Sequence, residues 1–213
     1  LKRKNNVMST ISYAITACNE HVELDRLLEI LTESIRPEDE IVIQLDKTAT
    51  VEVRSTCFDF GRANLRVIEF PLNNDFASFK NNLAKECLKD YIFQIDADEY
   101  IHPWFIESLP KILAYNPSVE VMLVPRINTV SDLTDQHIQK WRWNVNDKGW
   151  VNFPDYQWRI WKNIPNIKWI NKVHERLDGF KEFSPLPELE EYCLFHPKDI
   201  KRQEKQNAFY EQL

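Results

Sequence analysis

The sequence predicts an α/β domain: one mostly parallel sheet flanked by helices, followed by a less regular half. Three observations predict this. Short apolar runs alternate with stretches at helical spacing over residues 11–125, the rhythm of strand–helix–strand units. The 213 residues are 43% hydrophobic, enough for one sizeable core. The longest uncharged apolar stretches, such as Val121-Met122-Leu123-Val124, fall far short of the roughly 20 residues a membrane-spanning helix needs, so a soluble chain is expected.

Ile11-Ser12-Tyr13-Ala14-Ile15-Thr16 reads as a buried strand, and Leu24, Leu27, Leu28 and Leu31 follow at helical spacing. Glu40 to Leu45 is a second strand ending on Asp46, followed by a weaker helical stretch, and Leu65 to Phe70 is a third strand. Phe76, Phe79, Leu83 and Cys87 mark a helix leading into the strand Tyr91 to Ile95. Pro103 suits the first turn of a helix through Leu113, and Val119 to Val124 is a fifth strand. From Arg126 the rhythm changes: Trp141, Trp143, Trp150, Trp158, Trp161 and Trp169 lie among polar residues and prolines. The end, from Asp199 through Lys201, Lys205, Phe209 and Tyr210, reads as a polar helix capped by Asp199. The expected organisation is a tail or leader over 1–10, a nucleotide-binding-like half over 11–125, and a site-building half of the same domain over 126–213. The basic start and abrupt end are expected of a piece of a longer polypeptide with further domains.

Composition excludes several functions. The formal charge of −6 argues against a dedicated nucleic-acid binder, whose affinity would come from neutralising phosphates. Only Gly61, Gly149 and Gly179 occur, where an average chain of this length would carry on the order of 15 glycines. Both the G-x-G-x-x-G fingerprint and the P-loop need clustered glycines and are therefore absent. A bound nucleoside diphosphate would need another counter-charge, normally a divalent cation on carboxylates. Cys18, Cys57, Cys87 and Cys193 form no C-x-x-C pair, so reduced thiols in a cytoplasmic setting are expected.

Ligands of parallel sheets bind beyond the carboxyl ends of the strands. There the sequence offers Ala17-Cys18-Asn19-Glu20 after the first strand, Asp46 after the second, and Asp96-Ala97-Asp98-Glu99 after the fourth. In extended backbone Asp96 and Asp98 point to the same side and could share one hard cation, Mn²⁺ or Mg²⁺.

These segments carry a resemblance. ISYAITACNE (Ile11 to Glu20), Asp46, Phe76-Ala77-Ser78-Phe79-Lys80-Asn81-Asn82 and YIFQIDADE (Tyr91 to Glu99) resemble the core of family 2 glycosyltransferases, whose fold is the GT-A type with a Rossmann-like sheet. Pro154-Asp155-Tyr156-Gln157-Trp158-Arg159-Ile160-Trp161, Lys172-Val173-His174-Glu175 and Phe195-His196-Pro197 are similar to the lipopolysaccharide-core glucosyltransferase-like branch. As a whole the chain also resembles glycosyltransferase domains of large algal-virus proteins that build capsid glycans, which would put it in a host cytoplasm.

The resemblance implies a UDP-sugar donor and a glycan or glycoprotein acceptor. It implies that Thr16, Ala17, Cys18, Asn19 and Glu20 hold the base and ribose, that Asp46 reads the uracil ring, and that Lys80 lies near the diphosphate. It implies Asp96 and Asp98 as the D-x-D, with Ala97 between them at the nucleotide, and His174 as completing the metal shell. Asp155 falls at the position of the base, with Glu175 and Glu99 as substitutes; the residues after Asp155 alternate as a strand would. The reaction expected is inverting sugar transfer. His196 reads as structural, and at most one of Trp141, Trp143 and Trp150 would stack on a sugar.

Two other classes compete. A haloacid-dehalogenase-type phosphatase also places D-x-D after a strand, but on the first strand, with Thr or Val where this chain has Tyr100. A non-catalytic glycan-binding module would suit the aromatic second half but has no use for a D-x-D.

Overall fold

A computed structural model describes residues 8–60 and 64–210. The expected tail over 1–10 lies, up to residue 7, outside the described residues. The first half runs β1 (Ile11–Ala17), α1 (His21–Ser34), β2 (Glu40–Leu45), α2 (Val51–Asp59), β3 (Leu65–Glu69), α3 (Phe76–Glu86), β4 (Tyr91–Asp96), β5 (Tyr100–Ile101) and α4 (Pro103–Tyr115). The second half adds β6 (Val121–Ser131), α5 (Asp135–Trp141), β7 (Val151–Lys162), β8 (Lys168–Ile170), β9 (Arg176–Asp178), β10 (Phe183–Pro185), a short 3₁₀ turn, β11 (Leu194–Asp199) and α6 (Ile200–Tyr210).

Local chemistry accounts for the helix starts. The side chains of Thr50 and Asp75 accept from backbone N–H groups three residues on in α2 and α3, His102 Nδ1 accepts from the Trp104 N–H in α4, and Pro103 sits in the first turn of α4 as its sequence predicts. Asp199 Oδ1 accepts from the Arg202 backbone N–H (2.8 Å), the cap expected for α6.

The main sheet has the order β3-β2-β1-β4-β7-β6-β11-β5, with β10 alongside β6. β3, β2, β1 and β4 pair in parallel, β7 runs antiparallel to both β4 and β6, and β11 is parallel to β6. The architecture is the mixed, mostly parallel α/β fold the sequence predicts. The second half, expected to be less regular, supplies the longest strand, β7 with 12 residues, and extends the fifth expected strand from Val124 to Ser131. Within β7, Tyr156 and Trp158 alternate with Asp155, Gln157 and Arg159 because strand residues face opposite sides of a sheet.

Two apolar layers hold the sheet. Ile11, Tyr13, Ile15, Ile41, Ile43 and Phe93 pack against Leu24, Leu27, Leu28 and Leu31 of α1 and Phe105 and Leu109 of α4. On the other face Ala14, Val42, Ile92 and Trp161 meet Leu83 of α3 and Trp169. Among the described residues no helix is long and apolar enough to cross a membrane.

Candidate active site

The strand order places a row of polar side chains along one end of the sheet. Thr16 is the penultimate residue of β1, Asp96 ends β4, Asp155, Gln157 and Arg159 lie two apart on one face of β7, Arg126 and Asn128 lie on β6, and His196 lies on β11. Cross-strand register fixes the neighbours: Thr16 is opposite Asp96, Arg126 opposite Asp155, and Asn128 opposite His196.

Glu99 is the centre of this row and is fully buried. Its Oε1 accepts from Arg159 Nη2 (2.6 Å) and Arg126 Nη1 (3.0 Å). The same Arg159 nitrogen donates to Asp96 Oδ2 (2.6 Å), whose other oxygen accepts from Thr16 Oγ1 (3.0 Å). Burial works against ionisation of Asp96, yet the charges of Arg159, Lys80 and Arg126 outweigh it and hold the carboxyl well below the usual range. Arg159 is held charged in return, its own burial outweighed by Asp96 and Glu99.

Asp155 Oδ2 accepts from Arg126 Nε (2.9 Å), Arg126 Nη2 (2.7 Å) and Asn128 Nδ2 (2.8 Å), and Oδ1 accepts from Gln157 Nε2 (2.7 Å). Burial would raise this carboxyl, but Arg126 and the donated hydrogen bonds overcome it and lower the pKa. Glu175 is engaged elsewhere: its Oε1 accepts from Lys80 Nζ at 2.6 Å. Lys80 is only 6% exposed and also lies over the Trp169 ring, 4.6 Å from its centroid. The lysine expected at the diphosphate thus pairs with Glu175, because α3 packs its Lys80 face against β8, and its charge also reaches Asp96.

The loop after β1 is shaped by its own acid, with Glu20 Oε2 accepting from the backbone N–H groups of Cys18 (2.8 Å) and Asn19 (3.0 Å). Asp46 braces the next loop: Oδ1 accepts from the backbone N–H (2.7 Å) and hydroxyl (2.5 Å) of Thr48, and Oδ2 from the Leu72 N–H (2.6 Å). Ala97 is buried between the two acids of the D-x-D, its N–H donating to the Thr16 carbonyl (3.0 Å).

Asp98 meets a histidine other than the expected one. Its Oδ2 lies 3.1 Å from His196 Nε2 and 3.1 Å from Arg202 Nη2, while His174 stands exposed on the loop before β9 with φ 54°. Burial raises the Asp98 carboxyl, but His196 and Arg202 outweigh it and bring the pKa down to about 2.

The donor set fits a divalent cation. His196 Nδ1 is 2.9 Å from Asn128 Oδ1, and Asn128 has its amide nitrogen committed to Asp155, so Nδ1 carries the hydrogen. Nε2 faces the Asp98 carboxylate at 3.1 Å, a juxtaposition that a proton or a metal ion between them satisfies, with Asn128 as the outer-shell partner that metal-binding histidines normally have. Among the described residues no group of three or more His, Cys, Asp or Glu could enclose a metal. Mg²⁺ and Mn²⁺ at diphosphates take one or two protein ligands and fill the rest with phosphate and water. Sequence reasoning missed His196, Arg159, Arg126 and Asn128; the signal for Arg159 was a charged residue at period two from Asp155 in an otherwise aromatic strand.

The sequence model described as "Glycosyl transferase family 2" matches residues 12–181. No curated protein matches the chain significantly. Among solved structures, Staphylococcus aureus TarS 1-349 in complex with UDP-GlcNAc is similar, with TM-score 0.63 and 15% identity over 89% of this chain and 58% of that one. The same TarS fragment in complex with UDP gives TM-score 0.58 and 16% identity, covering 88% and 60%. A further structure of TarS 1-349 gives TM-score 0.53 and 16% identity, covering 72% and 47%. This chain therefore spans less than two thirds of each of those structures, and at such identities the likeness is one of fold.

Proposed function

Because the chain belongs to glycosyl transferase family 2, we propose that it moves a sugar from a UDP-sugar such as UDP-glucose to a hydroxyl of a glycan or glycoprotein acceptor, with inversion at the anomeric carbon. The observation that carries this reading is the row of ionised Asp96, Asp98 and Asp155 at one end of the sheet, with His196 against Asp98. It agrees with the TarS fold, which in one of those structures holds UDP-GlcNAc.

In this reading Thr16 to Glu20 form the floor for base and ribose. Asp46 Oδ2, which accepts one hydrogen bond, keeps a lone pair for the uracil N–H. Asp96, fixed by Thr16 and Arg159, faces the ribose. Asp98 and His196 would hold Mn²⁺ or Mg²⁺, which when bound supplies the positive charge that a departing diphosphate needs. Asp155 receives the proton of the acceptor hydroxyl as that oxygen attacks from the side opposite the diphosphate. Arg126, Asn128 and Gln157 hold the carboxylate in one orientation, so little is lost to reorganisation.

Titration of UDP by calorimetry, with and without Mn²⁺, tests the donor half. We expect Mn²⁺-dependent binding that weakens at least about tenfold in Asp98→Ala, the cost of one charge-assisted contact. UDP binding by the wild type that is indifferent to metal, or none at all, overturns it.

A pH profile tests the base. The Asp155 pKa is lowered, so its ionised form is present above the ordinary carboxylate range and is lost only as pH falls through the depressed value. The kcat/KM profile is expected to be flat on its acid side between about pH 5 and 7. A limb centred near about pH 6 would give the base role to another group.

A further inference from the structure

Arg202, in the first turn of α6, is bound to three carboxylates. Its Nη1 lies 2.8 Å from Glu23 Oε1 on α1, and its Nη2 lies 3.1 Å from Asp98 Oδ2 and 3.8 Å from Glu20 Oε1. Glu20 shapes the loop after β1, so one guanidinium ties that loop to the D-x-D. The Asp199 cap, which accepts from the Arg202 backbone N–H, fixes the residue at the start of its helix.

Asp98 Oδ2, the oxygen that faces His196, is the one Arg202 holds. A divalent cation between Asp98 and His196 would claim that same oxygen, and two positive charges meeting there repel. The other cations at this end of the sheet are already matched: Lys80 by Glu175, Arg159 by Asp96 and Glu99, and Arg126 by Glu99 and Asp155. Lys80 and Arg159 have 7% and 2% of their side-chain surface exposed, whereas Arg202 keeps 31%. A guanidinium that is reachable from outside and lies beside a metal-binding acid suits a phosphate, whose oxygens match its fork of N–H donors.

We propose that Arg202 is a charge switch that couples metal to donor: it competes with the divalent cation for Asp98, and it turns to the donor's diphosphate when that diphosphate is present, so that each ligand raises the affinity for the other. The assignment rests on the UDP-sugar reading above and adds a residue of α6 to the donor site. Mn²⁺ entering alone displaces Arg202 from Asp98 and offers no anion in return; UDP supplies that anion. Glu23, at 2.8 Å, keeps the guanidinium beside the site during the exchange.

Two titrations on the full chain test the switch: Mn²⁺ alone, followed by loss of the free-ion electron paramagnetic resonance signal, and UDP by calorimetry with and without saturating Mn²⁺. Arg202→Gln is expected to bind Mn²⁺ alone about tenfold more tightly than the wild type and, at saturating Mn²⁺, to bind UDP about tenfold less tightly. The ratio of UDP affinities with and without Mn²⁺, which measures the coupling, should shrink accordingly. Opposite signs mark the switch, since a residue that merely braced α6 would weaken both. Arg202→Lys keeps the charge and should stay nearer the wild type in Mn²⁺ affinity than Arg202→Gln does, with melting curves showing that each variant is folded. Mn²⁺ affinity that is unchanged or lowered in Arg202→Gln overturns the proposal, as does unchanged UDP affinity or equal tightening of Mn²⁺ by both variants. A wild type that takes up Mn²⁺ but no UDP removes the donor reading and the coupling with it; failure of the switch alone leaves the wild type binding UDP with Mn²⁺ and only the variants departing from expectation.

Discussion

Asp155→Asn is expected to lower kcat about 100- to 10,000-fold, the range for loss of a positioned general base, with metal-dependent UDP binding retained. The substitution keeps the shape and an acceptor oxygen for Arg126 and Asn128, so the loss would be one of proton acceptance. The other acids near the row give the experiment its contrast. Glu99 is fully buried under Arg126 and Arg159 and has no path to an acceptor hydroxyl. Glu175 is pinned to Lys80 at 2.6 Å. Asp155 keeps 29% of its side-chain surface exposed, which a group that must meet a second substrate requires. Steady-state assay of Asp155→Asn beside Glu175→Gln therefore separates the assignments. If Glu175→Gln loses the larger factor, the acceptor approaches from the α3 side and Asp155 serves only to orient Arg126.

The sequence made the first half of this molecule legible because its signals are local. Period-two and period-3.6 patterns identify β1 to β4 and their helices, and an acid directly after a strand needs no further information to be placed at the ligand edge. The second half depends on register between strands far apart in sequence. Arg126 and Asp155 meet only because β6 and β7 pair antiparallel in one alignment, and Asn128 meets His196 only because β11 adds in parallel on the other side. A slip of one residue would turn each of these side chains to the opposite face. For the same reason the sequence points to His174 for the metal and to a structural role for His196, and only the pairing of β11 reveals that His196 stands against Asp98. Lys80 shows what local pattern cannot carry: its position one turn into a helix suggests a phosphate role, but a turn of helix does not reveal that Glu175 pairs with it and Trp169 of β8 lies against it.

The buried ion network gives the largest stability effect. Arg159→Met is expected to cost about 3–5 kcal/mol, because Arg159 (2% side-chain exposure) would leave Glu99 (0%) and Asp96 with part of their counter-charge removed in a place water cannot reach. For a chain of this size that is a drop in Tm of roughly 6–20 °C. Methionine is chosen because it fills volume flexibly, so the measured loss reports charge more than cavity. Two further variants show where the cost arises. Glu99→Gln in the Arg159→Met background removes the stranded charge, and part of the loss should return; Glu99→Gln alone should be destabilising, since Arg126 and Arg159 then face each other with less to separate them. A loss below about 1 kcal/mol for Arg159→Met would mean that Arg126 alone suffices for Glu99, and the network would then be a device for orienting Asp96 and Asp155 that contributes little to holding the sheet together. The larger value would tie the two roles: the charges that position the acids would also hold the antiparallel β7 against the parallel β1–β4 sheet, so that the site forms only when the two halves of the domain are joined.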